Sequence, residues 1–324
     1  MRKFPRFVSK QLGRLIPLNT LLKITTPTFH PFYHVVSNKK LPHILNYNYR
    51  NVNEFEKELD FYFKHFKAVS LDYILKNPKT TQKIFHLSFD DGLKECAEII
   101  APILLKKGIP ATFFVNSGFV DNRALFHKYK ASLILKELVI TPNSEAEKIL
   151  NENQLQGKNI LNATIRQVEL LDKVAKIIGI DFTDFLKKQK PYLTTEQIIN
   201  LKEQGFSIGA HSENHPEFWK ISEEEQITEV KRSMNWITEK INPSIKTFSF
   251  PFTDSGVSSK IIRTILNEKI CDITFGTAGL KYDELKNHFQ RYPAEQSGDF
   301  IPNFKSEWIY FELRKRIGKA TVKH

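Results

Sequence analysis

The chain has 324 residues, 41% hydrophobic and 26% charged, with Pro 15 and Gly 13; such a chain folds around a core, which excludes disorder as its main state and a collagen-like or linker-dominated design. Its two cysteines, Cys96 and Cys271, provide neither a disulfide framework nor a CxxC zinc spacing and read as core residues. The formal charge of +12 belongs to the ends, since residues 1–53 hold nine Lys or Arg and no acid while residues 305–324 hold six basic and two acidic side chains. Terminal segments that meet an anionic surface are therefore expected, and a nucleic-acid groove through the body is not.

The first segment places Phe4, Phe7, Val8, Leu12 and Leu15 at helical spacing, with Arg6, Lys10 and Arg14 opposite. A basic amphipathic helix of this kind suits a phospholipid surface, and its apolar stripe equally suits a place over the core. No apolar h-region or cleavage site of a signal peptide follows the start, and no run of about 18 apolar residues could span a bilayer, so a cytoplasmic or membrane-peripheral protein is expected.

A βα rhythm comes next. Strands are predicted at Pro31 to Val36, Ile84 to Phe89 and Ala111 to Val115, with a helix from Ala97 to Lys107 closed by Gly108. Thr194 with Gln197 and Ser222 with Glu225 make capping-box signatures for helices ending near Gly205 and Ile241. Further strands are predicted at Phe206 to Gly209, Lys246 to Phe250 and Asp272 to Phe275. Such alternation indicates an α/β fold with a mostly parallel sheet. Between Asn122 and Pro191 the rhythm lapses into helix-like patches, Lys130 to Leu138 and Ala163 to Ile177, without a convincing strand. The expected organisation is a basic amphipathic segment at 1–28, a body at 29–121 and 191–304, a helical insertion at 122–190 and a basic helix at 305–324.

Two constellations carry chemistry. Asp90 and Asp91 follow the strand IFHLSF and precede Gly92, a turn that exposes both carboxylates at the carboxyl end of the sheet, where α/β proteins place their sites. A solvated turn capping the next helix is the plainer reading of SFDDG alone. His211 and His215 stand four residues apart after FSIGA, and Pro216 favours a turn over a helix there. With Asp91 they would supply three N and O ligands and leave positions open for water and substrate, as catalytic zinc requires.

Together, SFDDG followed by HSENH in an α/β chain resembles the polysaccharide deacetylases, the NodB-type carbohydrate esterases, and FSFPF at Phe248 to Phe252 matches the family's third signature. The resemblance covers about residues 84–120 and 190–300. It implies a distorted (β/α) barrel of about seven strands, a TIM-like closure of the sheet, with a helical insertion. It also implies a divalent metal, zinc above all, held by Asp91, His211 and His215, with Asp90 as catalytic base and the backbone N–H of Phe252 at the oxyanion. The implied activity is hydrolysis of N-acetyl, or O-acetyl, groups on a polysaccharide or glycan intermediate. An N-acetyl carbonyl is a poor electrophile, so a divalent ion must polarise it and acidify a water for Asp90 to deprotonate, while the departing amine needs a proton from an acid.

Two departures from the family pattern matter. Where many members carry an arginine two residues before the third-motif proline, this chain has Ser249, and Arg291 in QRYPAE is expected to supply the guanidinium from another strand end. The family's Leu-x-His acid motif is absent after residue 275, the one such string being Leu41-Pro42-His43. Members acting on poly-N-acetylglucosamine-type polymers carry the acid histidine in an N-terminal strand reading roughly Tyr-His-x-Val, which FYHVV matches. His34 is therefore the expected general acid, with His288 in KNHFQRYP as second candidate. A catalytically silent member that binds glycan or metal, and a membrane-surface component of a polysaccharide assembly system, are the alternatives from other classes. Neither a GxSxG elbow nor a GxxxxGK loop occurs.

Overall fold

Short apolar runs build the sheet. The computed structural model describes residues 3–78, 80 and 82–324, and the side chains of Phe4, Phe7 and Arg14 from the amphipathic pattern lie outside the described residues. Eight strands form the principal sheet: β1 (Pro31–Tyr33), β2 (Leu87–Phe89), β3 (Ala111–Val115), β4 (Ser207–Ala210), β5 (Thr247–Ser249), β6 (Ile273–Gly276), β7 (His288–Gln290) and β8 (Tyr292–Pro293). They lie in the order β7-β6-β5-β4-β3-β2-β1-β8, with parallel pairing throughout.

Only Arg291 separates β7 from β8, so the two edges of this sheet are one stretch of chain. The Arg291 N–H donates to Gly276 O at 3.1 Å on one side, and the Tyr292 N–H donates to His30 O at 2.8 Å on the other. The sheet thereby closes into the barrel of about seven ribs that the resemblance implies, which brings all the strand ends around one mouth. Helices seal the outside. The capping boxes Thr194/Gln197 and Ser222/Glu225 start helices Thr195–Glu203 and Glu223–Lys240, and their apolar faces, including Ile198, Leu201, Val230 and Ile237, are buried.

Several boundaries differ from expectation for identifiable reasons. The strand predicted at Pro31 to Val36 stops at Tyr33, and Val36 instead bridges to Arg50. The run Ile84 to Phe89 breaks at His86, whose ring binds Val69 O and Thr112 Oγ1, each at 2.8 Å; Ile84–Phe85 joins Lys67–Ala68 in a separate two-stranded sheet. The helix expected over 305–324 runs instead from Phe300 to Arg316, and Thr321–Val322 pairs in parallel with Tyr282–Asp283. Gly318, with φ 67, turns the chain out of the helix.

Between Asn122 and Lys190 the described residues form helices His127–Ile140, Ser144–Glu152, Val168–Ile177 and Phe182–Gln189, packed over their own cluster that includes Ile134, Leu150, Leu171 and Val174. The two ends of the chain meet: helix Lys3–Leu15 packs against helix Phe300–Arg316 through the Ser9–Ser306 hydroxyl pair at 3.0 Å and the Arg6–Glu307 pair at 3.3 Å. Leu12 packs on the core while Leu15 is exposed. Among the described residues, no helix is long and apolar enough to cross a membrane.

Candidate active site and metal centre

The turn after β2 sends two neighbouring carboxylates to different partners. Asp91 has φ 72 and Gly92 φ 64, and a Cβ on Gly92 would lie 3.0 Å from the Val115 side chain. Glycine is what lets the chain turn so closely against β3.

Asp90 goes to Arg291. The guanidinium donates from Nη1 to Oδ1 and from Nη2 to Oδ2, each at 2.7 Å, a bidentate fork. It also donates to Ser88 Oγ at 3.0 Å and to Ser249 Oγ, and it lies 4.3 Å from the centre of the Phe32 ring. Both partners are buried, so burial pushes the Asp90 carboxyl up, but the Arg291 guanidinium outweighs it and holds the group below the usual carboxylate range. Asp90 is therefore an ionised, oriented acceptor. The guanidinium thus reaches Ser249 from the stretch of chain that closes the sheet.

Asp91 goes to the histidines. Its Oδ1 lies 3.3 Å from His215 Nε2 and 3.7 Å from His211 Nε2, and ligand atoms of the three residues lie within 4.8 Å of one another. Tyr129 and Tyr47 donate to Asp91 Oδ2 at 3.0 and 3.3 Å, whereas buried Oδ1 has no hydrogen-bond partner. His211 Nδ1 faces Ser249 O at 2.8 Å. A carbonyl only accepts, so the proton sits on Nδ1 and Nε2 carries its lone pair toward Asp91. Burial lowers the His211 pKa to about 4, which keeps the ring neutral at ordinary pH. An orphaned carboxylate oxygen beside two imidazole nitrogens is a donor set that fits a divalent cation. The Asp91 carboxyl stays ionised because its histidine neighbours outweigh the opposing effect of burial.

His34, immediately after β1, completes the mouth. Its Nδ1 lies 2.6 Å from Glu295 Oε2, and its ring stacks on Tyr47 with centroids 4.3 Å apart. Enclosure opposes a charge on this ring, but the Glu295 carboxylate and, more weakly, Asp91 and Asp90 raise its pKa to about 9. Its side chain is 23% exposed, so the ring remains accessible to a ligand at the mouth. Arg50 holds the Glu295 segment in place through Ala294 O at 2.8 Å and Gln296 O at 3.1 Å.

Phe252, with φ 56, lies in the turn after β5, its ring 4.5 Å from that of His215. His288 goes elsewhere, contrary to its expected place near the reacting groups. Its Nδ1 binds Thr274 Oγ1 at 2.8 Å and its Nε2 faces Asp254 Oδ2 at 3.1 Å, so the start of β7 commits both ring nitrogens to another cluster.

Four contributors escape the sequence reading. Tyr47 sits in an irregular loop, Tyr129 comes from the first helix of the 122–190 segment, and Glu295 and Ser88 flank residues already singled out. Glu295 stands four residues after Arg291, and that spacing on a strand end is the one signal available. Glu217 ties the helical segment to the mouth by accepting the Ile165 N–H at 3.2 Å and facing His127 Nε2 at 3.3 Å.

The family model described as polysaccharide deacetylase matches residues 77–268. No curated protein matches the sequence. Among solved structures, the chain is similar to IcaB from Ammonifex degensii, with TM-score 0.57 and 15% identity over 88% of this chain and 97% of that one. It is also similar to the deacetylase PplD from Streptococcus pyogenes, with TM-score 0.56 and 14% identity over 88% and 99% of the two chains. A de-N-acetylase from Aggregatibacter actinomycetemcomitans aligns with TM-score 0.51 and 14% identity over 86% and 99%.

Proposed function

The chain belongs to the polysaccharide deacetylase family, and from that premise we propose that it is a metal-dependent hydrolase that removes acetyl groups, N-acetyl above all, from a glycan. The observation that carries this reading is the buried Asp91 Oδ1, without a hydrogen-bond partner and facing two imidazole nitrogens, next to an Asp90 held ionised by Arg291.

Asp91, His211 and His215 would hold the ion, zinc in the first place. When bound, it supplies Lewis acidity to the acetyl carbonyl and to a water. Asp90 accepts the proton from the attacking water, and Arg291 and Ser249 fix the direction of its lone pairs. His34, protonated through its pairing with Glu295, donates a proton to the departing sugar amine, while the Phe252 N–H faces the developing oxyanion. Tyr47 and Tyr129 keep Asp91 oriented so that Oδ1 remains the ligand atom.

The test is acetate release from matched N-acetylated and O-acetylated oligosaccharides, with and without added zinc. Release from the N-acetylated series, greatest with zinc, is expected. Stoichiometric zinc binding with no acetate from either series would overturn the catalytic reading in favour of a silent glycan- or metal-binding member.

A specific observation favours an anionic surface as a further partner. A cleft of about 1230 Å³ is lined by Arg6, Lys10, Arg314 and Lys323, and the one acidic residue on its lining, Asp254, has its side chain only 2% exposed. Both basic ends of the chain thus contribute to one concavity. Co-sedimentation with phosphatidylglycerol vesicles should be lost on reversing Lys10 and Lys323 to Glu, and unchanged binding would refute this partner.

A further inference from the structure

Asp254, Asp283, His288 and His324 come from four separate segments: the turn after β5, the strand Tyr282–Asp283, the start of β7, and the residues after the strand Thr321–Val322. Their ligand atoms lie within 4.8 Å of one another, and all four side chains are at most 2% exposed. We infer that these four residues form a second divalent-metal site, suited to zinc, that clamps the 321–324 segment to the barrel.

The geometry of each ligand supports this. Asp254 Oδ1 accepts the Thr277 N–H at 3.1 Å and Asp283 Oδ1 accepts the Leu285 N–H at 2.9 Å, so each carboxylate turns Oδ2 toward the shared centre. His288 Nδ1 is bound to Thr274 Oγ1, which turns Nε2 to the same point, a support like that of ligating histidines elsewhere. The resulting edges are 3.1 Å from Asp254 to His288, 3.1 Å from Asp283 to His324, 3.8 Å from Asp254 to His324 and 3.9 Å from Asp283 to His288. A tetrahedral zinc with bonds of about 2.0–2.2 Å requires edges of about 3.3–3.6 Å. Changes of a few tenths of an ångström in these four edges would reach that shape, and the Gln290 amide nitrogen, now against three of the ligand atoms, would turn aside to admit the ion.

Charge gives a second argument. Gln290 Nε2 sits against three of the four ligand atoms, donating to Asp254 Oδ2 at 2.5 Å and Asp283 Oδ2 at 2.8 Å and lying 3.3 Å from His288 Nε2, while its Oε1 accepts the Ala278 N–H at 2.7 Å. A neutral amide does not balance two buried negative charges. Protons on the imidazoles or a divalent cation can do so, and two carboxylates with two imidazoles are a common zinc set. The packing leaves room for the carboxylate and for nothing else at one point: a Cβ on Gly276 would lie 2.1 Å from Asp254 Oδ2.

The clamp would also brace the active-site turn. Thr277, whose N–H holds Asp254, donates its hydroxyl to Phe252 O at 3.0 Å. Catalysis does not need this ion as a reactant, so the site is separable from the strand-end centre by metal content.

The experiment uses the full chain carrying His211→Ala and His215→Ala, which removes the strand-end ligands, stripped of metal and titrated with Zn²⁺ alone. One equivalent should bind, raise the melting temperature and, when replaced by Co²⁺, give the visible absorption of a tetrahedral site. Adding His324→Ala or Asp283→Asn should weaken zinc binding by at least about 100-fold and abolish the rise. No stoichiometric zinc in the folded double variant, or undiminished zinc after His324→Ala, would overturn the inference and leave the imidazole protons as the balancing charge. Should the double variant not fold, the unsubstituted chain must lose one equivalent of zinc on His324→Ala, and equal content would overturn the inference in the same way. None of these outcomes depends on acetate release.

Discussion

At the mouth of the barrel, Asp91 shares its surroundings with two imidazoles, leaves Oδ1 without a hydrogen-bond partner, and stands near a histidine whose side chain is 23% exposed. Around Asp254, the same kinds of side chain are sealed beneath the 321–324 segment, and both carboxylates have all their oxygens engaged by backbone N–H groups, imidazoles and Gln290. The difference lies in the second layer of contacts. Donor groups with an open side, beside the Asp90 carboxylate and the His34 ring, fit the proposed hydrolysis, whereas donor groups closed on every side fit the proposed cross-link. Asp90, Arg291, Glu295 and His34 surround the first cluster only.

Substitution at the mouth should break this contrast most strongly. His211→Ala or His215→Ala is expected to remove the mouth's metal and all measurable deacetylation, as metal analysis alongside acetate assay will show. Asp90→Asn should keep the metal and lower kcat by roughly 100-fold or more, the loss expected for a general base. Equal loss of metal would mean that the two aspartates exchange roles.

His34→Ala should cost about 100-fold or more on N-acetyl substrates and much less on esters with good leaving groups, which need little protonation to depart. The pH profile sharpens the same point. The acid must be protonated, so kcat/KM should fall as pH rises through about 9, the value to which Glu295 raises His34 against the effect of enclosure. Glu295→Gln should move that fall to lower pH. Because the folded-state value lies above the usual 6.5, the pair's contribution to stability is complete below about pH 6.5 and is lost as pH rises through about 9. Tyr129→Phe is the mildest change. It frees one hydrogen bond on Asp91 Oδ2 and should weaken metal affinity by about 10-fold, measured by competition with a chelator.

Much of the mouth was legible because its residues lie in short strings. SFDDG and HSENH each place their proposed ligands within one turn at a strand end, and the strand Ala111–Val115 and two capping boxes follow from local pattern alone. Arg291 was legible only as the replacement for an arginine missing at Ser249, since nothing local marks a buried guanidinium. Tyr129 and Glu295 were not legible, because their contacts to Asp91 and His34 span 38 and 261 residues of chain. His288 misled for the same reason. Its neighbourhood in sequence resembles a site segment, but its partners Asp254 and His324 are brought to it by barrel closure and by the pairing of the 321–322 strand.

The central claim is that Asp91, His211 and His215 hold a divalent ion on which deacetylation depends. The most direct measurement is acetate release from N-acetylglucosamine oligomers by the purified chain before chelation, after chelation at the mouth, and after zinc is returned. The account predicts release, loss and recovery in that order, with no recovery in His211→Ala. Release that survives complete metal removal, or its absence from a folded and zinc-loaded chain, would contradict it.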